Sequence, residues 1–300
     1  MEKRIFCYTI LLALTLFISE TPEAQEPNFY SFSVNNGLPS NNIISLTISK
    51  KGQLYVGTES GAAMFDGEKF IPFYASGKED GSLKGGLVET LISSSSGDIW
   101  LGSGNGGISI LHGENKFQYL NTHLSNNRIR GLFEDRSGNI WIGTDDGLNK
   151  YNPNTKTLKI YNTSDGLSHQ WVRQITEDKQ GFIWVGTWGG GVNRITPETG
   201  AIKVYRHEKS SKDSLSDDIV YSMFTDSKGN VWAGTFGTVL NKYNRDCDCF
   251  QRHPSNFETV NNNNVNYIWD IEELTDGRLV VATGSGLYFI TKEGTEKQFN

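Results

Sequence analysis

The chain has 300 residues, a formal net charge of −6 and no run of lysine and arginine that would form a basic patch. A nucleic-acid-binding protein normally shows such a patch, so the charge pattern argues against a nucleic-acid partner. Residues that favour strands dominate, 12% of the chain is aromatic, and helical periodicity is absent after the N-terminus. This composition indicates an all-β protein.

The first residues have the pattern of a secretory signal peptide. Lys3 and Arg4 precede an apolar run over residues 5–18, and a polar segment follows that run. The apolar run is short for a membrane span. We therefore predict a signal peptide over residues 1–24, cleaved near Ala24, and an exported, periplasmic mature chain. An uncleaved N-terminal anchor is the alternative.

One short sequence recurs along the rest of the chain. Its clearest copy is Gly138-Asn139-Ile140-Trp141-Ile142-Gly143-Thr144, and further copies occupy residues 52–58, 97–103, 181–187, 229–235 and 277–283. The leading glycines of successive copies are 41 to 48 residues apart. This is the period of a four-stranded propeller blade. We predict a single β-propeller domain over residues 28–300.

The recurring sequence has a physical interpretation. The leading glycine supplies the positive φ of a tight turn. The apolar run Ile140-Trp141-Ile142 does not alternate with polar residues, so both faces of this strand must be covered. Blades that lie between two neighbours meet this need. Gly143 leaves room for another backbone.

Each repeat predicts four strands. The predicted first strands are Ile43 to Ile48, Leu87 to Ile92, Ile129 to Glu134, Val172 to Glu177, Ile219 to Phe224 and Val265 to Ile271. Residues 28–33 (NFYSFS) predict one outer strand without a blade of its own. We therefore predict about six repeats plus one N-terminal strand, which is most of a seven-bladed ring. Six blades that close imperfectly are the alternative.

Cys247 and Cys249 are the two cysteines that would remain after export. One intervening residue makes a disulfide geometrically difficult, and no further residues suggest a metal site. Two loop thiols without a role are the favoured interpretation, although export would permit a disulfide.

The segment Gly138 to Tyr151 (GNIWIGTDDGLNKY) resembles the two-component regulator propeller repeat, and residues 33–42 resemble the opening segment of that family. The resemblance covers about residues 28–300. It implies the periplasmic sensor region of a hybrid two-component system of Bacteroides-type bacteria, which takes part in a phosphorelay and is similar to sensors of oligosaccharides. In such proteins further propeller and sensor domains, a membrane helix and a histidine kinase follow.

The chain departs from the full pattern of this family. It has no membrane span after the signal peptide and no region with kinase motifs. Kinase activity is therefore assigned to no residue of this chain. We expect a non-catalytic module without cofactor or metal. Expected partners are an oligosaccharide or other small ligand, further domains of the same or a related chain, and a second copy in a homodimer. Contact with the membrane would come only through a longer parent chain.

Candidate ligand-binding residues lie in the turns between second and third strands and in the segments that lead into the first strands. Both meet on one face of a propeller, around the central channel, where a rigid scaffold carries variable loops. The candidates are Trp188, Asp145 and Asp146 from the turns, and Trp171, Trp269, Arg130, Arg173, Tyr221 and Tyr267 from the links and first strands. Sugars stack on such aromatic faces, with arginine and aspartate side chains holding their hydroxyl groups.

Two alternatives remain open. The aromatic rings would cover blade junctions in a propeller that serves as a scaffold for another protein. A propeller lyase or hydrolase of the streptogramin-lyase type would need a histidine beside a base or metal. His169 and the pair His207-Glu208 are the only such hints.

Overall fold

The computed structural model describes residues 30–76, 81–113, 116–237, 239–253, 257, 267–290 and 295–299. The predicted signal peptide lies outside these residues, as does the start of the predicted N-terminal outer strand. Residues up to Phe32 form one unit and Ser33–Asn300 a second, larger one. The described end of the first unit, residues 30–32, is not assigned to a strand. The outer strand therefore stays a prediction.

The second unit contains six antiparallel four-stranded sheets, here called blades 1 to 6 in chain order. Blades 1 and 2 consist of β1 (Ile43–Ile48), β2 (Leu54–Thr58), β3 (Gly61–Phe65), β4 (Phe70–Phe73), β5 (Val88–Ser93), β6 (Ile99–Ser103), β7 (Gly107–His112) and β8 (Lys116–Tyr119). Blades 3 and 4 consist of β9 (Ile129–Glu134), β10 (Ile140–Thr144), β11 (Gly147–Asn152), β12 (Thr157–Tyr161), β13 (Val172–Glu177), β14 (Ile183–Thr187), β15 (Val192–Ile195) and β16 (Ile202–Tyr205). Blades 5 and 6 consist of β17 (Val220–Thr225), β18 (Val231–Thr235), β19 (Leu240–Asn244), β20 (Cys249–Arg252), β21 (Ile268–Glu273), β22 (Leu279–Thr283), β23 (Gly286–Ile290) and β24 (Thr295–Phe299).

These sheets confirm the predicted all-β propeller. The only helical segments among the described residues are two 3-10 turns, Val34–Asn36 and Thr163–Asp165. No helix in the part of the chain that the structure describes is long and apolar enough to span a membrane.

The recurring sequence forms the second strand of each blade, as predicted. Gly138 has φ +78° in the turn before β10. Ile140, Trp141 and Ile142 are all fully buried, so neither face of this strand meets water. Gly143 allows the next blade to approach, because a Cβ at this position would lie 2.7 Å from Cγ1 of Val172.

The apolar core consists of layers between consecutive blades. Five clusters of buried residues each join one blade to the next, and Trp141 and Val172, for example, share the layer between blades 3 and 4. The first strand of each of blades 2 to 6 supplies an aliphatic residue to such a layer, as Leu132 does with 6% exposure. At the equivalent position in blade 1, Leu46 is 64% exposed. On this face of blade 1 the first strand is therefore uncovered by the described residues, whereas Val56, Ala63 and Phe70 are buried there together with Leu38. The larger ring stays a prediction.

A buried polar network ties each of blades 3 to 5 to the link that precedes it. In blade 3 the N–H of Ser125 donates to Oδ1 of Asn149, and the side-chain amide of Asn149 donates to Oγ of Ser125. Ser125 also bonds Oγ1 of Thr144 at the end of the recurring sequence. Blades 4 and 5 repeat this arrangement, with Asn193 and Asn241 at the buried position. In these three blades the network fixes the start of the first strand, which carries part of the candidate site.

The expectation of two free loop thiols is wrong, because Cys247 and Cys249 form a disulfide. Asp248 between them has φ +49°, a left-handed conformation that turns the chain and brings the two Cα atoms to 5.2 Å. Aspartate is one of the few residues that adopts this conformation at low cost. The turn points the Asp248 carboxylate at the hydroxyl groups of Tyr205 and Tyr243 in neighbouring blades.

Candidate functional site

The candidate site is built on a shift of register in the first strand of every blade. In each blade the pairing of the first strand with the second skips the second residue of the first strand, as a β-bulge does. A bulge redirects the side chain of the extra residue. The skipped residues, here called the bulge row, are Ile44, Glu89, Arg130, Arg173, Tyr221 and Trp269.

Members of the bulge row from adjacent blades contact one another. Nη1 of Arg130 lies 2.7 Å from the Glu89 carboxylate, and the ring centroids of Tyr221 and Trp269 are 5.1 Å apart. The guanidinium carbon of Arg173 lies 5.1 Å from the ring centroid of Tyr221. Because first strands of consecutive blades are neighbours at the centre of a propeller, the row runs around the central axis.

The part of the row in blades 2 and 3 is charged. Nε of Arg130 donates to Asp145 at 2.6 Å, and Arg128 lies within ion-pair distance of both Glu89 and Asp145. Burial lowers the pKa of Arg130, but the hydrogen bond with Asp145 and the charge of Glu89 outweigh this effect and raise it. Two arginines and two carboxylates thus neutralise each other here.

The row is aromatic in blades 5 and 6, and rings from the neighbouring links and from one turn extend this aromatic part into blade 4. Ring contacts run from Trp171 through Trp188 and Tyr221 to Tyr267 and Trp269, with centroid distances of 5.1 to 6.5 Å. Trp171 and Trp269 remain 41% and 48% exposed, whereas Tyr221 is 6% exposed. Burial raises the pKa of Tyr221, so its hydroxyl stays protonated at neutral pH. We name these five residues the aromatic cluster.

Trp188 lies in the middle of the aromatic cluster. Its N–H donates to the carbonyl of Trp171 in its own blade at 2.9 Å, and its backbone pairs with Ile219 at the edge of the next blade. Trp188 therefore covers a blade junction and is half-buried. The ring surface open to a ligand belongs mainly to Trp171 and Trp269.

Arg173 joins the charged and the aromatic parts. Its guanidinium carbon lies 4.9 Å from the ring centroid of Trp188, in addition to its contact with Tyr221. Such cation–π contacts hold an arginine in place without neutralising its charge. Burial, followed by the charge of Arg130, lowers the pKa of Arg173.

The structure brings together eight of the nine predicted residues and leaves one aside. Asp146 is exposed, and its described contact is a backbone N–H donated to Oγ1 of Thr144. Sequence reasoning missed Glu89, which bonds Arg130. Alignment of the repeats on their leading glycines could have identified it, because Glu89, Arg130 and Arg173 each stand eight residues before that glycine.

The histidines named in the enzyme alternative bond backbone atoms. Nδ1 of His207 lies 2.8 Å from the carbonyl of Leu215, and Nδ1 of His169 accepts the N–H of Trp171 at 3.1 Å. In the described part of the chain, no group of three or more histidine, cysteine, aspartate or glutamate side chains could hold a metal ion. The Asp218 carboxylate accepts the backbone N–H of His207 at 2.7 Å, and no described carboxylate lies within ion-pair distance of either imidazole ring.

The fold and the repeated second strand define a β-propeller of four-stranded repeats. Residues 37–60, 123–146, 166–189 and 214–237 match the sequence profile of the family described as "Two component regulator propeller". These four segments are two-component regulator propeller repeats, which confirms the resemblance seen in the sequence.

The chain is similar in sequence or structure to proteins of two-component systems and to a lyase. Histidine kinase P4 of Formosa agariphila is 30% identical over 137 residues, which is 43% of this chain and 10% of the kinase. The extracellular domain of a candidate hybrid two-component system of B. thetaiotaomicron superposes with a TM-score of 0.77 at 22% identity, covering 90% of this chain and 36% of that one. Virginiamycin B lyase of Staphylococcus aureus shares the fold with a TM-score of 0.65 at 15% identity, over 86% of this chain and 84% of the lyase. The chain thus spans about a tenth of the kinase and about a third of the sensor domain.

Proposed function

We propose that this chain is an exported, periplasmic sensor module that binds an oligosaccharide on the face carrying the bulge row. The observation that carries the proposal is the aromatic cluster with its two exposed indole rings, Trp171 and Trp269. Apolar sugar faces stack on such rings, and neighbouring polar side chains hold the hydroxyl groups.

The similar sensor domains support the exported location and the role in signalling. The structural relative is the extracellular domain of a candidate hybrid two-component system, and the sequence relative is a histidine kinase. To signal, the ligand must bind two arrangements of the parent protein with different affinity. In this proposal the propeller supplies the recognition, and other domains of a longer parent chain carry the kinase.

Isothermal titration calorimetry of the purified chain against a panel of oligosaccharides tests the proposal. We expect Trp269→Ala to weaken binding by about 2- to 10-fold, which corresponds to the loss of one ring contact. Tyr74→Ala is the matched control, because Tyr74 is 55% exposed and follows the outer strand of blade 1. Absence of heat with every oligosaccharide, or equal effects of the two substitutions, would refute the proposal.

We also propose that the chain is non-catalytic. The contacts of His169 and His207 with backbone atoms support this, since a general base needs access to its substrate proton. Incubation with the best-binding oligosaccharide, followed by mass spectrometry, should return the ligand unchanged. A product whose formation stops in His169→Ala would contradict this part of the proposal.

A further inference from the structure

The two arginines of the bulge row differ in whether a carboxylate pairs with them. Arg130 has two carboxylates within 2.7 Å, one from Glu89 and one from Asp145. Arg173 occupies the equivalent position in the next blade, and no described carboxylate lies within ion-pair distance of it. The row therefore contains one arginine with its anions in place and one without.

The surroundings of Arg173 position its guanidinium group without using its hydrogen-bond donors. The rings of Trp188 and Tyr221 contact it at 4.9 and 5.1 Å, and no side-chain or carbonyl oxygen among the described residues accepts a hydrogen bond from it. Arginine carries five N–H donors in a planar fork. A partly buried cation with free donors is costly, and an anion that reached it would relieve that cost.

The neighbours of Arg173 favour an incoming anion over an internal one. Glu89 and Asp145 are near enough to act on Arg173 through their charge, yet Arg130 and Arg128 hold both of them. Moving either carboxylate to Arg173 would leave Arg128 and Arg130 to share the other one. Only a group from outside the described chain can fill the position without this exchange.

We infer that Arg173 is an anion subsite of the proposed ligand site and that the ligand is an acidic oligosaccharide, whose carboxylate or sulfate group bonds the guanidinium fork. This inference rests on the proposed function. The exposed rings of Trp171 and Trp269 would take the sugar rings on either side. A uronate carboxylate and a sulfate ester can each offer two oxygen acceptors to the arginine fork, so the shared chemistry is that of an anionic sugar.

Calorimetry with chemically matched ligands tests the inference on the unmodified chain. The ligands are an oligosaccharide that carries uronate and sulfate groups, its carboxyl-reduced form, its desulfated form, and a neutral oligosaccharide of equal length. We expect one of the two modified forms to lose about 10- to 100-fold in affinity, which is the range for one charged hydrogen-bonded pair. The form that loses affinity identifies the anion. Equal affinity for all four ligands would overturn the inference and leave the proposed function intact.

Substitutions then assign the effect to Arg173. Arg173→Gln should lower the affinity for the acidic ligand by about 10- to 100-fold and leave that for the neutral one within about 3-fold. The affinity of Arg173→Lys for the acidic ligand should lie between those of the unmodified chain and Arg173→Gln, because lysine keeps the charge but lacks the planar fork of donors. Arg278→Gln is the control for net charge, since Arg278 pairs with Asp276 in the turn between β21 and β22, at the opposite end of its blade.

Each remaining outcome separates the two proposals. An equal loss for acidic and neutral ligands in Arg173→Gln would make Arg173 a structural residue and overturn the inference. The same acidic-ligand loss in Arg278→Gln would show a general charge effect and overturn it too. Failure of every ligand to bind would overturn the proposed function and the inference together.

Discussion

The indole–carboxylate bond in blade 3 yields the sharpest stability prediction. The Asp135 carboxylate accepts the Nε1–H of Trp141 at 2.8 Å, the backbone N–H groups of Ser137 and Asn139, and the side-chain amide of Asn139. Asp135 is 6% exposed and Trp141 is fully buried. We predict that Asp135→Ala destabilises the propeller strongly.

The expected loss of stability follows from the hydrogen-bond donors that the substitution leaves without an acceptor. The Trp141 indole N–H would lose its acceptor where water cannot reach it, and the N–H of Asn139, which is 7% exposed, would lose one as well. An unsatisfied buried donor costs about 1–3 kcal/mol. Two such donors give an expected loss of about 2–6 kcal/mol in the free energy of unfolding. Asp135→Asn keeps one acceptor oxygen and should cost about half as much.

Equilibrium urea unfolding, followed by far-ultraviolet circular dichroism and by tryptophan fluorescence, measures this loss. The two probes should give coincident transitions before a free energy is assigned. Ser94→Ala in blade 2 is the matched control, because Ser94 occupies the equivalent turn position but bonds the carbonyl of Asp98. We expect the control to cost less than about 1 kcal/mol. An Asp135→Ala loss no larger than that of the control would refute the reasoning.

Three further predictions concern other contacts. Burial raises the pKa of Asp226, but hydrogen bonds led by the Trp232 indole lower it on balance. The stability gap between wild type and Asp226→Asn should therefore be full at neutral pH and shrink as the pH falls below the ordinary value of 3.8, in urea unfolding at pH 7 and pH 3. Asp248→Asn removes ion pairs between blades at a partly exposed site and should cost about 1 kcal/mol in the same assay. Leu46→Asp should change stability by less than about 0.5 kcal/mol, whereas Leu132→Asp at the covered equivalent should unfold the chain. A large cost at Leu46 would mean that other residues cover that face.

The blades could be predicted from the sequence because their requirements are local. The glycine before each second strand has positive φ, with values from 78° to 91°. The apolar run that follows must be covered on both sides, and the spacing between successive runs defines the repeat. The predicted strand Ile129–Glu134 matches β9 residue for residue. The sequence predicts the first strand of blade 6 from residue 265; residues 265 and 266 lie outside the described residues, and β21 begins at Ile268. The bulge and the start of pairing depend on partners in β22.

Contacts between distant residues were not predictable in the same way. The bond from Asp135 to Trp141 spans six residues and repeats in blades 4 and 5, yet an aspartate in a turn has an adequate local explanation without it. The disulfide depends on the left-handed conformation of Asp248, which tertiary contacts of its carboxylate favour. Glu89 belongs to the site because its carboxylate accepts a hydrogen bond from Arg130 in the next blade.

The bulge row explains how a repeated structure can carry a specific site. The residue before each bulge is a β-branched aliphatic residue. It is exposed in blade 1, at Ile43, and buried in the other five blades, at Val88, Ile129, Val172, Val220 and Ile268. These five residues pack against neighbours and cannot vary in chemistry without a loss of core packing. The bulge residue next to each of them belongs to none of the apolar clusters between blades and is isoleucine, glutamate, arginine, arginine, tyrosine or tryptophan. Since the layers between blades do not include it, this position can differ from blade to blade with little effect on those layers. We therefore expect substitutions in the bulge row to change which ligand binds, and substitutions one residue earlier to change whether the chain folds.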